Sequence, residues 1–180
     1  MTKDKKHNLF KMLYFISIML GVLSCAAFLT FPIIKWELPT YAGSEVNLYS
    51  GIGMIIGGDV TLHTTTIINQ TTINNAYTIE KPFNTIAFIA LLLLCTGILS
   101  ACFISFMKSL NKNKLIALIP MCLILAGGIF ALTIRNSFMN SWGIHELVAD
   151  GFKLGYGTII AGASAIISGL IGITASILKK

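Results

Sequence analysis

Charged residues are scarce in this sequence, and four long runs contain none. Only 11% of the 180 residues are Asp, Glu, Lys or Arg, whereas 55% are hydrophobic. The uncharged runs cover residues 12–34, 83–107, 115–134 and 154–178, and His is missing from them as well. A hydrocarbon core about 30 Å thick is crossed by about 20 helical residues. The composition therefore argues against a soluble domain and predicts four transmembrane helices.

The lack of ionisable residues inside these runs also bears on function. Proton-coupled transporters, intramembrane proteases and charge-relay pumps carry such residues within the membrane. Burying an ionisable residue there is energetically costly, so such residues usually serve a function. None of the four runs contains Asp, Glu, Lys, Arg or His. The sequence therefore argues against all three of these classes.

Cysteine is missing from the segments between the runs. Cys25, Cys95, Cys102 and Cys122 all lie inside apolar runs, where free Cys acts as a small packing residue. A disulfide framework is therefore not expected. Cys25 leaves one alternative open, because Val22-Leu23-Ser24-Cys25 after a basic start is similar to a lipoprotein signal with its lipidated cysteine. The residues after Cys25 stay apolar, which favours an uncleaved helix.

The polar residues form no recognisable catalytic or metal-binding pattern. His63, His145, Glu146 and Asp150 are the candidate ligands, but no spacing among them brings three onto one face. Gly57-Gly58-Asp59 places an acid where a phosphate-binding loop would hold an anion. We therefore predict a protein without enzymatic activity, cofactor or metal.

The positive charges are concentrated in segments that we assign to the cytoplasm. Nine basic residues and one acid, Asp4, fall in the N-terminus, the loop between runs two and three, and the C-terminus, whereas four basic residues and six acids fall elsewhere. The nine are Lys3, Lys5, Lys6, Lys11, Lys108, Lys112, Lys114, Lys179 and Lys180. This is the positive-inside asymmetry. It predicts cytoplasmic termini and a lipid bilayer, the cell membrane, as the partner of the basic segments rather than a nucleic acid.

The segment 35–82 is the only long stretch expected outside the membrane. From Val60 onward it is rich in Thr, Ile and Val with polar alternates, which favours β-strands. We expect strands near Val60–Ile68, Thr71–Ile73 and Ala76–Glu80, with turns at the intervening Asn-containing pairs, Asn69-Gln70 and Asn74-Asn75. The apolar stretch Gly51–Gly58 is either a buried strand or a hydrophobic tip that dips into the membrane.

Aromatic residues flank the predicted spans where interfacial anchors are common. Phe31, Trp36 and Tyr41 follow the first span, and Trp142 lies in the second outer loop, residues 135–153. That loop also carries apolar residues at loose helical spacing. We expect a short helix there in the headgroup layer.

The last span differs from the others in its small residues. They recur at every fourth position in two rows, Gly157, Ala161, Ala165 and Gly169, and Ser164, Ser168, Gly172 and Ser176. Such rows let helix backbones approach closely in membranes. The rows therefore predict a helix-packing face, which is used either within the chain or between subunits.

The predicted fold is an all-α transmembrane bundle of four helices with a small β-rich extracytoplasmic insert. Four spans with a β-rich first outer loop resemble the claudin arrangement. Trp36 is present, but the Gly-Leu-Trp element and the paired loop cysteines of that family are missing. The resemblance therefore implies a topology and carries no function.

Three functional hypotheses follow. The first is an accessory or scaffold subunit that binds other membrane or envelope proteins, or itself, through the insert and the small-residue face of the last span. The second is a small channel or the membrane subunit of a permease, since Ser, Thr and Gly faces can line a pore for neutral solutes. The third, an enzyme acting on lipid or cell-wall precursors, is the least supported because no acid, base or metal cluster is recognisable.

Overall fold

A computed structural model describes residues 3–40, 43–68, 71–81, 83–106, 114–141 and 151–178. Four helices in it are long and apolar enough to cross a membrane. They are α1 (Lys3–Thr30), α3 (Thr85–Phe106), α4 (Lys114–Ser141) and α5 (Tyr156–Leu178), and a short helix, α2 (Gly51–Ile56), precedes α3. The prediction of four apolar helices and a small β-sheet component is confirmed.

The four long helices pack in the spatial order α1, α5, α4, α3. The closest pairs are α1 with α5, α5 with α4 and α4 with α3, whereas α1 and α3 meet along a smaller area. Many large apolar side chains face outward, among them Leu99, Phe103 and Ile119. A surface of this kind fits helices surrounded by lipid, where every backbone polar group is paired inside its own helix.

Two small sheets are formed by five strands. The strands are β1 (Pro32–Thr40), β2 (Gly43–Ser50), β3 (Gly58–Ile68), β4 (Thr71–Lys81) and β5 (Phe152–Leu154). β1 is the central strand of a three-stranded antiparallel sheet ordered β2-β1-β5, and β3 and β4 form a separate antiparallel pair. The insert therefore shares its first sheet with β5, a strand from the second connection.

The first span ends earlier than the sequence suggested. Residues 32–34, which we assigned to that span, belong to β1. Pro32 has no N–H to continue the helix, and the Ile33 carbonyl instead accepts hydrogen bonds from Gly155 N (2.9 Å) and the Thr158 hydroxyl (2.6 Å). Helix α4, which corresponds to the third predicted span, conversely continues past residue 134 to Ser141. Phe138 extends the core there, stacking against the rings of Tyr49 and Phe152.

Two local predictions within the insert are wrong. The buried-strand alternative for Gly51–Gly58 is wrong, because Gly51–Ile56 is the helix α2, which the Ser50 hydroxyl caps by accepting from Gly53 N. Asn74 and Asn75, expected as a turn, lie inside β4 opposite Thr65 and Thr64. Cross-strand pairing along an unbroken partner strand overrides the local preference of Asn for turns. The predicted turn at Asn69-Gln70 lies outside the described residues.

Candidate interaction surface

The small-residue face of α5 is buried within the chain. All eight predicted residues are buried: Gly157, Ala161, Ala165, Gly169, Ser164, Ser168, Gly172 and Ser176. A Cβ atom added at Gly169 would lie 2.5 Å from Leu125 Cβ on α4, and one added at Gly172 would overlap Met121 and Ser17. The face is therefore filled by α1 and α4 of the same chain. These contacts hold α5 against its neighbours within the chain.

Serine hydroxyls fasten α1 to α5 at two levels. The Ser17 hydroxyl donates to the Ser168 carbonyl (2.7 Å), and the Ser168 hydroxyl donates back to the Ser17 carbonyl (2.6 Å). Two turns further along α1, the Ser24 hydroxyl donates to the Ala161 carbonyl (2.6 Å). The sequence reading missed Ser17 and Ser24, although their seven-residue spacing places them on one face of the helix.

The sheet β2-β1-β5 lies at one end of the bundle, which we call the insert end. At this end α1 and α4 finish and α3 and α5 begin. The sheet β2-β1-β5 is fixed to α5 through Ile33, and the Arg135 Nε atom donates to the Phe152 carbonyl at 2.6 Å. Tyr49 of β2 is buried against Phe138, and this burial raises the pKa of its phenol. The sheet is therefore attached to both α4 and α5.

Of the predicted interfacial anchors, Phe31 is exposed at the insert end. Its ring lies 5.5 Å from that of Tyr156, an exposed residue that the sequence reading did not select. Trp36 lies in β1, opposite Asn47 on one side and Phe152 on the other. Tyr41 and Trp142 are outside the described residues, as are residues 142–150 of the loop in which we expected a headgroup helix. Residues 135–141 of that loop instead continue α4, and 152–153 belong to β5.

Helix α2 is wedged between α1 and α3 at the insert end. A Cβ atom at Gly51 would overlap the Phe28 carbonyl, so only glycine allows this approach. Asn84 N donates to the Met54 carbonyl (3.2 Å), and Asn84 Oδ1 caps α3 by accepting from Ala87 N (2.9 Å). Met54 is buried, whereas Ile52 and Ile56 on the other side of α2 are exposed. The apolar outer side of α2 thus sits level with the ends of the long helices.

The hairpin β3–β4 has an unpaired backbone edge on each of its two strands among the described residues. Its ladder is continuous from Gly58 opposite Lys81 to Ile68 opposite Thr71. Among the described strands, none pairs with the outer edge of either β3 or β4. Unpaired edges expose N–H and C=O groups that another strand can use. The hairpin is therefore a candidate docking element.

The described residues contain no group of three or more His, Cys, Asp or Glu side chains that could hold a metal ion. Two cysteines, however, meet across helices: the sulfur atoms of Cys25 and Cys95 are 3.6 Å apart. The sequence reading had treated every cysteine as a packing residue. Because the partners lie on helices 70 residues apart in the chain, no local pattern indicated this contact.

Comparison with known proteins adds no family. No protein-family model matches the chain, and no curated protein is significantly similar to it. The likeness to the claudins therefore remains one of predicted arrangement, and any assignment of function depends on the surfaces described above.

Proposed function

We propose that this chain is a non-enzymatic, multi-pass protein of the cell membrane that serves as an assembly subunit. Its four helices form the anchor, its termini face the cytoplasm, and the hairpin β3–β4 docks other membrane or envelope proteins on the opposite side. The uneven distribution of basic residues supports this orientation. Helix lengths and apolar composition support the membrane location.

The outer edges of β3 and β4, which pair with no other described strand, carry the proposal. Each strand has 11 residues, which is long for a two-stranded hairpin, and the described sheet β2-β1-β5 does not extend to it. A two-stranded hairpin alone is only marginally stable in water. A partner that adds a strand to one edge would satisfy the free backbone groups and stabilise the hairpin, the binding mode known as β-augmentation.

The packing of the bundle favours this role over a channel through one chain. Ser17, Met121 and Ser168 meet where α1, α4 and α5 converge, and all three are fully buried. Their polar atoms are used in contacts with each other. The small-residue face of α5 is also filled within the chain. The proposal therefore places partner contacts at the insert end, whereas the sequence had suggested that face as well.

The register of the hairpin provides a clean deletion. Gly58 and Lys81 are directly opposed, so replacing residues 59–80 by Asn-Gly joins the two positions with a two-residue turn. The bundle and the sheet β2-β1-β5 should remain intact. A shorter deletion, residues 65–74, removes only the outer part of the ladder and provides a graded comparison.

The test is site-specific crosslinking in the native membrane. A photoreactive residue at Thr61 of β3 should yield discrete adducts with a protein partner, and the same partner should be retained on purification in mild detergent. The 59–80 deletion should lose that partner while keeping its helical content, and the 65–74 deletion should weaken retention. Purification of the full-length chain as a lone monomer in several detergents, without adducts at Thr61, would refute the proposal.

A further inference from the structure

Cys25 and Cys95 form the one contact between two thiols in the described residues. Their sulfur atoms are 3.6 Å apart, and both side chains are half-buried. By contrast, no disulfide or thiol partner is found there for Cys102, which is half-buried, or for Cys122, which is exposed. The chain thus contains one thiol pair and two comparison thiols.

The approach of the two thiols is built into the packing of α1 against α3. One turn before Cys25, Gly21 brings α1 so close that an added Cβ would lie 3.2 Å from Ile98 Cγ1 on α3. The two helices run antiparallel, so the position four residues forward from Gly21 on α1 lies beside the position three residues back from Ile98 on α3. These positions are Cys25 and Cys95. A side chain at position 21 would therefore press against α3 one turn from the thiols.

The location of the pair gives a bond between these atoms a structural consequence. The contact between α1 and α3 is less extensive than that of α1 with α5 or of α3 with α4. These are also the helices that lead into and out of the insert, so the residues from 25 to 95 enclose it entirely. A link between Cys25 and Cys95 would fasten the least extensive of these helix contacts within the bundle.

We propose that Cys25 and Cys95 are a redox-convertible pair, joined by a disulfide on exchange with a small, lipid-soluble disulfide. One thiol attacks the reagent, forms a mixed disulfide and releases one reagent thiol. The second thiol then displaces the other reagent thiol, and the Cys25–Cys95 bond forms. The two protons lost by the cysteines leave on the two released thiols, so the step balances and no net charge remains among the apolar helices. This chemistry is independent of what the hairpin binds.

The experiment treats the full-length protein in lipid nanodiscs with 2,2′-dipyridyl disulfide and identifies the products by peptide mass spectrometry. A thiol pair and a lone thiol give different products. The pair should lose two hydrogens, release two pyridine-2-thione molecules and yield a crosslinked peptide containing Cys25 and Cys95. Cys122, as a lone exposed thiol, should keep one pyridylthio group. Dithiothreitol should reverse both reactions.

Three variants make the result specific. In Cys25→Ser, Cys95 should react like a lone thiol and keep the pyridylthio group. Cys102→Ser should leave the Cys25–Cys95 link unchanged. Gly21→Leu should keep all four thiols but separate the helices, so the yield of the link should fall. Helical content by circular dichroism checks that each variant is folded.

Three outcomes would overturn the proposal. The first is recovery of pyridylthio groups on both Cys25 and Cys95 of the same molecules, which would show that the thiols react without meeting. The second is a disulfide that joins either cysteine to Cys102, to Cys122 or to another copy of the chain. A pair that stays reduced while Cys102 reacts completely would count against it equally.

Discussion

Substitution of Gly169 by alanine measures how tightly α5 packs against α4. The added Cβ would lie 2.5 Å from Leu125 Cβ, 3.0 Å from the Met121 carbonyl oxygen and 3.1 Å from Leu125 Cα. Non-bonded carbon atoms prefer separations of about 3.5–4.0 Å, so the closest contact is short by about 1 Å. Two of the three opposing atoms belong to the α4 backbone, so a change of side-chain rotamer does not relieve the overlap.

Two opposing effects decide the sign of this substitution. Alanine favours a helix over glycine by about 1 kcal/mol. Overpacking of a filled interface typically costs about 1–3 kcal/mol. Because the overlap at Gly169 involves backbone, we take the upper half of that range, and the free energy of unfolding should fall by roughly 1–2 kcal/mol. Gly169→Leu should be more destabilising, since the larger side chain has no space to enter.

The assay is reversible unfolding in mixed micelles of a mild detergent and dodecyl sulfate, monitored by circular dichroism. Ala163→Leu is the matched control, because Ala163 lies on the same helix but is exposed on its outer side. It should leave the unfolding midpoint nearly unchanged. Equal or greater stability of Gly169→Ala, with a neutral Ala163→Leu, would refute the close packing of α5 on α4.

Three further predictions concern hydrogen bonds and burial. Ser17→Ala removes the donor to Ser168 and should lower the free energy of unfolding by about 0.6 kcal/mol and at most about 2 kcal/mol, as for other hydrogen bonds between membrane helices. The control is Ser100→Ala, because the Ser100 hydroxyl bonds only within α3. An equal loss of stability in the control would contradict the prediction. Asn84→Ala removes the cap of α3 and should cost about 1 kcal/mol, whereas Asn84→Ser should restore most of it; an alanine variant as stable as the original would show that the cap is dispensable. Burial raises the pKa of the Tyr49 phenol, so the unfolded chain ionises first as the pH rises. The stability that the neutral phenol contributes is therefore complete below the ordinary phenol pKa of 10.0 and is lost as the pH rises above that value. Tyr49→Phe should reduce this alkaline loss in a pH series of unfolding curves, and an unchanged loss would refute the assignment.

The helices and the long hairpin could be predicted because their signals are local. Runs such as 83–107 and 154–178 have few alternatives to helix, since a backbone in lipid pairs its polar groups only within a helix or a closed barrel. Thr and Ile between Gly58 and Ile68 favour a strand because β-branched side chains suit a pleated surface, which is also a local preference. The small residues of α5 likewise indicated a packing face before its neighbours were known, although they did not identify those neighbours.

The features that tertiary structure decided depend on residues far apart in the chain. β5 is a strand because β1 lies beside it, and Gly51–Ile56 is a helix because Ser50 caps it and the gap between α1 and α3 receives it. The face of α5 is internal because α1 and α4 cover it. Cys25 and Cys95 are a pair only because α1 packs against α3, next to Gly21. Composition along the chain thus determined which segments are helical and apolar, whereas packing between distant segments determined which surfaces remain available for binding and chemistry.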